Sequence, residues 1–148
     1  MPPDTLCVMA VAVRQDRQGA GLGGQTLTAM RSLAITAGLE RMISPVRPVL
    51  KSRYPLTPMA NYAWWTRADG AHLDPWIRTH LRLGGVIIGP APRSMVVTGT
   101  VTEWEEWAGM AFPETGRYVV PGALDLVEID RERDLGAYAE TNLWMRHL

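Results

Sequence analysis

The chain is poor in cysteine, in net charge and in long apolar runs. Cys7 is the single cysteine, so an intrachain disulfide is impossible, and we expect a buried thiol in a reducing compartment. Fifteen basic and fifteen acidic side chains cancel, which removes the bulk electrostatic argument for binding nucleic acid or an anionic membrane. No apolar stretch approaches the roughly 18 residues that span a bilayer, and no basic segment precedes the first apolar run. We therefore expect a cytoplasmic protein.

The histidines give no support to a metal site. His72, His80 and His147 have no ligand-like spacing with carboxylates, so we predict no metal. Apolar residues make up 47% of the chain and charged residues 20%, which is typical of a globular protein. The length suits a single domain over residues 1–148, with a packed core.

The first half of the chain alternates between patterns typical of strands and helices. Residues 6–13, "LCVMAVAV", form a continuous apolar run, which predicts a strand buried on both faces. Apolar residues then recur at helical spacing over 22–37, and Gly38 follows as a natural helix stop. The next segment, 41–49, is β-leaning but contains two prolines, which predicts an edge strand or a strand end.

The second half adds signals for two more helices and several strands. Residues 53–70 have no sustained period and predict a long loop with at most one helical turn. Asp74 is a natural N-cap for a helix over 75–83, and Thr102 and Glu105 have capping-box spacing at the start of another helix. The order of elements predicts an α/β (α+β) domain. Strands are expected within 94–101, 117–130 and 140–148.

Residues 17–25, "RQGAGLGGQ", place four glycines in six positions between the first predicted strand and the first predicted helix. Glycines let a backbone approach an anion closely and adopt positive φ. The free N–H groups and the dipole at a helix start favour negative charge. The segment therefore indicates a phosphate-binding loop, and the spacing of its residues decides which phosphate it suits.

Several interpretations compete for these glycines. Gly19, Gly21 and Gly24 match the dinucleotide pattern G-x-G-x-x-G, but the polar residues 14–18 separate them from the strand, whereas a Rossmann fold turns directly from strand to glycine. Arg47 also follows the next strand, where a ribose-binding acid is expected. No Gly-Lys-Ser/Thr follows, which disfavours a Walker loop. An acyl-CoA pyrophosphate loop and a tight turn without a ligand stay open.

The acyl-CoA interpretation depends on residues 11–34, "VAVRQDRQGAGLGGQTLTAMRSLA". Read from Gln18, the loop gives Gln/Arg-x-x-Gly-x-Gly/Ala, and Val13 stands five residues ahead of it. This succession of strand, valine, polar bend, glycines and helix resembles the coenzyme motif of the Gcn5-related N-acetyltransferase (GNAT) superfamily. The resemblance implies a mixed sheet flanked by helices, with acetyl-CoA or another acyl-CoA as co-substrate. The implied activity is direct transfer of the acyl group to a small-molecule amine in a ternary complex.

The resemblance also implies binding positions on this chain. The backbone at Val11 and Val13 would pair with the pantetheine arm, and Arg14 or Arg17 would reach phosphate at the rim. The N–H groups of the loop would hold the pyrophosphate. The residues implied for that contact are Gln18, Gly19, Gly21, Gly23 and Gly24.

The acid that protonates the leaving thiolate is, in this superfamily, usually a tyrosine four residues before a Gly-Phe pair. His80 stands four residues before Gly84, so the resemblance implies His80 as the catalytic acid. A histidine that packs beside Trp76 is the structural alternative, and Tyr54 and Tyr62 are the other candidate acids.

Candidate bases and pocket walls are acidic and aromatic side chains around the predicted last helix and the long loop. A solvated helix face is the alternative for the acids, and core packing is the alternative for the aromatic residues. The acids are Glu103, Glu105, Glu106 and Glu114. The tryptophans that would line an acceptor pocket are Trp64, Trp65, Trp104 and Trp107.

Superfamily members carry several strands and helices before the glycine motif, whereas a short segment precedes Gly21 here. The chain therefore resembles the C-terminal half to two-thirds of such a domain, N-terminally truncated and lacking the first strands and helices. A fragment of a larger acetyltransferase, a half-domain completed by a second copy or a partner chain, and a non-catalytic CoA-binding or interaction module all stay open. An unpaired edge on the 6–13 strand would invite pairing with another chain.

Overall fold

The computed structural model describes residues 2–148. The strands are β1 (Thr5–Cys7), β2 (Arg41–Val46), β3 (Val86–Gly99), β4 (Gly116–Tyr118), β5 (Val127–Asp130) and β6 (Leu135–Arg146). The helices are α1 (Leu22–Thr36), α2 (Met59–Tyr62), α3 (Pro75–Arg82) and α4 (Val101–Ala108), and single 3-10 turns occupy Gln15–Arg17 and Lys51–Arg53.

The strands form one mixed sheet in the order β1-β2-β6-β5-β4, with β3 also paired to β6. β1 and β2 are parallel, and the other pairs are antiparallel. β6 is the central strand: β3 pairs along one of its edges, while β2 and β5 pair with opposite ends of the same strand. The mixed sheet with flanking helices confirms the predicted α/β class.

The pairing of β1 with β2 ends abruptly at a proline. The Val8 amide donates to the Ile43 carbonyl at 2.9 Å, so the next bond of a parallel ladder would run from residue 45 to the Val8 carbonyl. Pro45 has no N–H and cannot make it. The Ser44 hydroxyl donates to the Val8 carbonyl instead, at 2.8 Å. Beyond Val8, the segment that follows β1 no longer pairs with β2. The prolines of the β2 segment predict an edge strand or a strand end. Pairing with β1 does end at Pro45, but β2 continues to Val46 and lies inside the sheet.

The predicted buried strand over 6–13 is wrong in extent and burial. Regular pairing is confined to Thr5–Cys7, and residues 8–13 are outside any strand. Cys7 is exposed, and Met9 is 69% exposed. The apolar run predicts a strand that is covered on both faces, but β1 is an edge strand: no strand pairs with its other edge within residues 2–148.

The two faces of the sheet carry different packing. On one face, Leu143 and Met145 of β6 pack with Ile77 of α3 and with α2, and an adjoining cluster joins α1 to β2 and α3. On the other face, Tyr138 of β6 packs with Trp104 of α4 and with β5. Because side chains alternate along a strand, Glu140 lies on the same face as Tyr138.

Helix boundaries follow the local signals closely, with one shift. α1 begins and ends within a residue of the predicted span, and Gly38 beyond it has φ +70°. Asp74 caps α3 as predicted. The capping box of α4 is formed by Thr100 and Glu103, two residues earlier than expected, because Thr100 rather than Thr102 has the extended backbone that an N-cap requires.

Asp74 is also the polar anchor of the long segment between β2 and α3. The side chain is fully buried. Its Oδ1 accepts the amides of Trp76 and Ile77 at 3.0 and 3.2 Å, and its Oδ2 accepts the Leu50 amide at 2.8 Å and the Tyr62 hydroxyl at 2.9 Å. One carboxylate thus fixes the start of α3 and both parts of the preceding loop.

We predict that Asp74→Ala strongly destabilises the fold. It leaves four buried or half-buried donors unpartnered, which should lower the free energy of unfolding by about 3–5 kcal/mol. Urea denaturation measures this loss. Asp69→Ala is the matched control: Asp69 pairs with Arg67 on the surface, and its removal should cost at most about 1 kcal/mol. Equal losses in the two variants would contradict the anchoring role of Asp74.

Candidate functional site

A cavity of about 1070 Å³ lies between the segment that follows β1 and the end of β2, and it extends to the start of α1. Its volume lies at the upper end of the range for ligand pockets, about 300–1,000 Å³. The residues that the sequence assigned to the pantetheine arm and the pyrophosphate loop line it, together with the proposed acid. These residues are Val11, Val13, Gln18, Gly19, Gly21, Gly23, Gly24 and His80.

The glycine loop ends at the N-terminus of α1 and leaves that terminus free. Gly21 is the N-cap residue in a left-handed conformation, φ +76°, and no side chain caps the helix. The first backbone N–H groups of α1 therefore lack an internal partner and face the end of the cavity. Together with the helix dipole, they make this end attractive to an anion.

The segment after β1 forms the adjoining wall. Val11 and Val13 line the cavity in the stretch that has left the sheet. Gln18 donates from Nε2 to the Val13 carbonyl at 3.2 Å, which ties the glycine loop to this segment. Gln18 thus has a structural bond in addition to its position at the predicted phosphate site.

Trp76 of α3 packs against the glycine loop and lines the cavity there. A Cβ on Gly23 would lie 2.8 Å from the Trp76 ring, so only glycine allows this close approach of α1 and α3. Arg82, which sequence reasoning did not single out, also lines the cavity, as does Arg17. Arg14 instead pairs with Asp16 at 3.0 Å on the surface. The cavity end at the loop is therefore lined by two cationic side chains.

His80 is held in a buried histidine pair. Its Nδ1 lies 2.8 Å from Nε2 of His147, and Trp76 contacts the ring edge-on at a centroid distance of 4.6 Å. The side chain is 1% exposed, and its Nε2 has no hydrogen-bond partner among the described residues. Sequence reasoning missed His147, since the final strand brings it to α3 from the other end of the chain.

Burial lowers the pKa of His80 to about 4, with a smaller contribution from His147. Burial also lowers the pKa of His147, aided by the charge of Arg31. Both rings are therefore uncharged at neutral pH. The assignment of His80 as an acid stays a prediction, and the loss of the imidazolium form argues against simple proton donation from it.

The far end of the cavity carries an ion pair between a buried glutamate and a half-exposed arginine, which no local pattern in the sequence predicts. Arg47 Nε donates to both oxygens of Glu140, at 3.0 and 3.1 Å. Glu140 is 1% exposed and also accepts the Tyr138 hydroxyl at 2.7 Å. Arg47, Glu140 and Asn142 line the cavity. A polar wall thus lies on the sheet face opposite His80, and the cavity passes between the two faces.

Most of the other sequence candidates lie elsewhere. Tyr62 is buried and donates to Asp74, and Tyr54 packs against it outside the cavity. None of the four candidate glutamates and none of the four candidate tryptophans lines the cavity; Trp76 takes the aromatic position. Glu103 and Glu105 serve the local structure, as a cap and as an acceptor for the Phe112 amide. Helical spacing could not distinguish these roles from a pocket.

Within residues 2–148, no group of three or more His, Cys, Asp or Glu side chains has a metal-binding arrangement. No described helix combines the length and the hydropathy needed to cross a membrane.

The comparison with solved structures decides the fold. The loading GNATL domain of CurA from Lyngbya majuscula superposes with a TM-score of 0.58 at 18% identity, over 97% of this chain and 54% of that one. The chain has a GNAT-like fold. The predicted resemblance to the GNAT superfamily is confirmed at the level of the fold.

Sequence comparison points in the same direction. The arginine N-acetyltransferase avaD of Aspergillus versicolor is 31% identical over 163 positions, which cover 98% of this chain and 56% of that protein. The chain spans about half the length of the curated relative and of the solved structure that it matches. No protein-family model matches the chain.

The buried histidine makes the GNAT-like domain sensitive to acid. Because the folded pKa of His80 lies below its ordinary value of 6.5, the neutral form stabilises the fold above pH 6.5, and this stability is lost as the pH falls towards 4. Between pH 7 and pH 5 the loss should be about 2 kcal/mol. His80→Gln, compared with the unaltered chain by urea denaturation at both pH values, should remove that part of the loss. An equal pH dependence of stability in the two proteins would contradict a lowered pKa of His80 as its cause.

Proposed function

We propose that this chain binds acyl-CoA in the cavity and transfers the acyl group to an amine of a small molecule. The observation that carries the proposal is one cavity that joins the uncapped start of α1 to the opening between the segment after β1 and the end of β2. The GNAT-like fold and the name of the related arginine N-acetyltransferase support it.

The residues around the loop suit an acyl-CoA with its pyrophosphate at the helix start. Backbone N–H groups of the Gln18–Gly24 loop would hold the phosphates, and Arg17 and Arg82 would contribute positive charge. The backbone at Val11 and Val13 would pair with the pantetheine arm, because this stretch lines the cavity and is not paired with another strand. Acetyl-CoA or another acyl-CoA is therefore the co-substrate of the proposal.

The reaction needs positioning more than covalent catalysis. The amine nitrogen attacks the thioester carbon, the new C–N bond forms and the C–S bond breaks; the amine gives up one proton and the thiolate takes one. The opening in the sheet would hold the thioester between the α3 face, which carries His80, and the opposite face, where Arg47 and Asn142 line the cavity. His80 stays our candidate for handling the thiolate proton, in the neutral histidine pair.

The proposal treats residues 1–148 as one acyl-CoA-binding domain. Arginine is the first acceptor to assay, because the curated relative is named for it. We also propose a cytoplasmic location, no nucleic-acid partner, and a second copy or a partner chain that completes the sheet.

The glycine loop gives the first test. Gly21→Ala forces a Cβ into a left-handed N-cap, which should disturb the loop and weaken acetyl-CoA binding by about ten-fold or more. Gly38→Ala is the matched control: Gly38 has φ +70° at the other end of α1, and both glycines have open space around the added Cβ. Each variant should lose about 1–2 kcal/mol of stability.

Calorimetric titration with acetyl-CoA and urea denaturation measure the two effects. Weakened binding confined to Gly21→Ala supports the loop as the coenzyme site. No saturable binding by the folded unaltered chain would overturn the proposal. Binding without release of CoA thiol in the presence of arginine would favour the non-catalytic module.

His80 gives a separate test of the acid assignment. His80→Gln should lower turnover by about ten-fold or more and leave the acetyl-CoA affinity within about two-fold, because the side chain would act on the departing thiolate and not on the bound coenzyme. Release of CoA thiol and calorimetric titration measure these quantities. Unchanged turnover would remove His80 from the mechanism.

A further inference from the structure

The cavity wall opposite the α3 face is polar and built from distant parts of the chain. Arg47 follows β2, whereas Glu140 and Asn142 lie on β6. Glu140 and Asn142 are two residues apart on one strand, so both project from the same sheet face. Nothing in the proposed function so far assigns these side chains a ligand.

Arg47 is held in one orientation but keeps donors to spare. Its Nε is bonded to Glu140, and its Nη2 donates to the Gly122 carbonyl at 3.0 Å. Its Nη1 makes no hydrogen bond within residues 2–148, and the side chain is 49% exposed. A guanidinium has five N–H donors in a fixed fork, which suits a carboxylate.

Glu140 serves to position that guanidinium. Both of its oxygens accept from Arg47, and Oε2 also accepts from Tyr138. Burial and the bond to Glu140 raise the pKa of Tyr138 to about 12, so the phenol keeps its proton and remains a donor. The Tyr138 oxygen in turn accepts the Leu124 amide at 2.9 Å. The carboxylate is therefore engaged by protein donors and holds Arg47 in place.

Asn142 adds a buried acceptor without a partner. Its Nδ2 is directed at the Pro45 carbonyl, 3.4 Å away, which leaves Oδ1 as the free end of the amide. Oδ1 is buried and has no hydrogen-bond partner among the described residues. A buried carbonyl oxygen without a donor costs free energy, and a ligand N–H at this place would satisfy it.

The neighbouring strand is shaped around this wall. β3 pairs Ala91 with Asn142 and Met95 with Glu140, so residues 92–94 bulge opposite Thr141. Within the bulge, Arg93 has φ +55°. Ser94 and Met95 line the cavity beside the polar wall, and bulges of this kind commonly redirect side chains at sites.

We infer that this wall is the acceptor subsite and that it selects amines bearing a neighbouring carboxylate, the chemistry of an amino acid. The Arg47 guanidinium binds the acceptor carboxylate, and a turn of the Asn142 amide towards the cavity lets its Oδ1 accept an N–H from the amine that attacks the thioester. The inference rests on the proposed function, because it names the substrate class of the same site.

The test compares amino acids with analogues that lack the charged carboxylate. L-arginine, L-arginine amide and agmatine share one side chain, and the amide and the decarboxylated amine bracket the basicity of the amino group. We expect L-arginine to bind the CoA-saturated chain at least about ten-fold more tightly than either analogue, by calorimetry. The same preference is expected in kcat/KM, measured by release of CoA thiol.

Variants separate recognition from folding. Arg47→Met removes the guanidinium but leaves Glu140 buried and unpaired, so the double variant Arg47→Met with Glu140→Gln is made beside it. Both should bring the preference for the carboxylate to about one-fold while acetyl-CoA affinity is kept. Arg53→Met is the control for the substitution, since Arg53 is exposed and does not line the cavity. Arg47→Lys should keep part of the preference.

The outcomes separate failure of the acceptor subsite from failure of the proposed function. A carboxylate preference that disappears in the double variant supports the inference. Equal binding and equal turnover of L-arginine and both analogues, with acetyl-CoA still bound, overturns the inference and leaves the proposed function in place. A preference that survives in the double variant also overturns it. Failure of the folded unaltered chain to bind acetyl-CoA overturns the proposed function, and the inference falls with it.

Discussion

The bond from the Ser44 hydroxyl to the Val8 carbonyl sets the shape of the site. Pro45 removes the amide that would continue the parallel ladder, and the Ser44 side chain satisfies the last carbonyl of the paired stretch at 2.8 Å. Because the segment after β1 then no longer pairs with β2, the sheet has an opening at this place. A cavity lined from both faces passes through it. The glycine loop, α3 and the polar wall on β6 all meet at this opening.

Buried polar anchors hold the walls of that opening. Asp74 fixes the segment between β2 and α3 on one face. On the other face, Lys51 donates to the Leu124 carbonyl at 2.8 Å and Arg47 donates to the Gly122 carbonyl at 3.0 Å. The segment after β2 is thereby tied to the turn before β5. These bonds place Arg47 beside Glu140, and such contacts between distant segments give the cavity its polar end.

Local patterns were enough for the helices and for the glycine loop that precedes α1. α1, the loop before it and the Asp74 cap of α3 were predicted, because glycine, proline and capping residues act over a few neighbours. The predicted strand over 6–13 was too long, and the prediction of a buried Cys7 was wrong, because an apolar run does not reveal whether a neighbouring strand exists. The α4 cap was displaced by two residues because Thr100 and Thr102 both have a glutamate three residues ahead.

The sequence by itself determined the loop that suits a phosphate and the superfamily whose fold the chain shares. The residues assigned to the pantetheine arm and the pyrophosphate loop line one cavity, because they are contiguous with a strand, a turn and a helix start. Tertiary structure alone decided the neutral His80–His147 pair, the contribution of Arg82 and the wall formed by Arg47, Glu140 and Asn142. These groups meet through strand pairing and burial across distant parts of the chain, and no local spacing encodes such meetings.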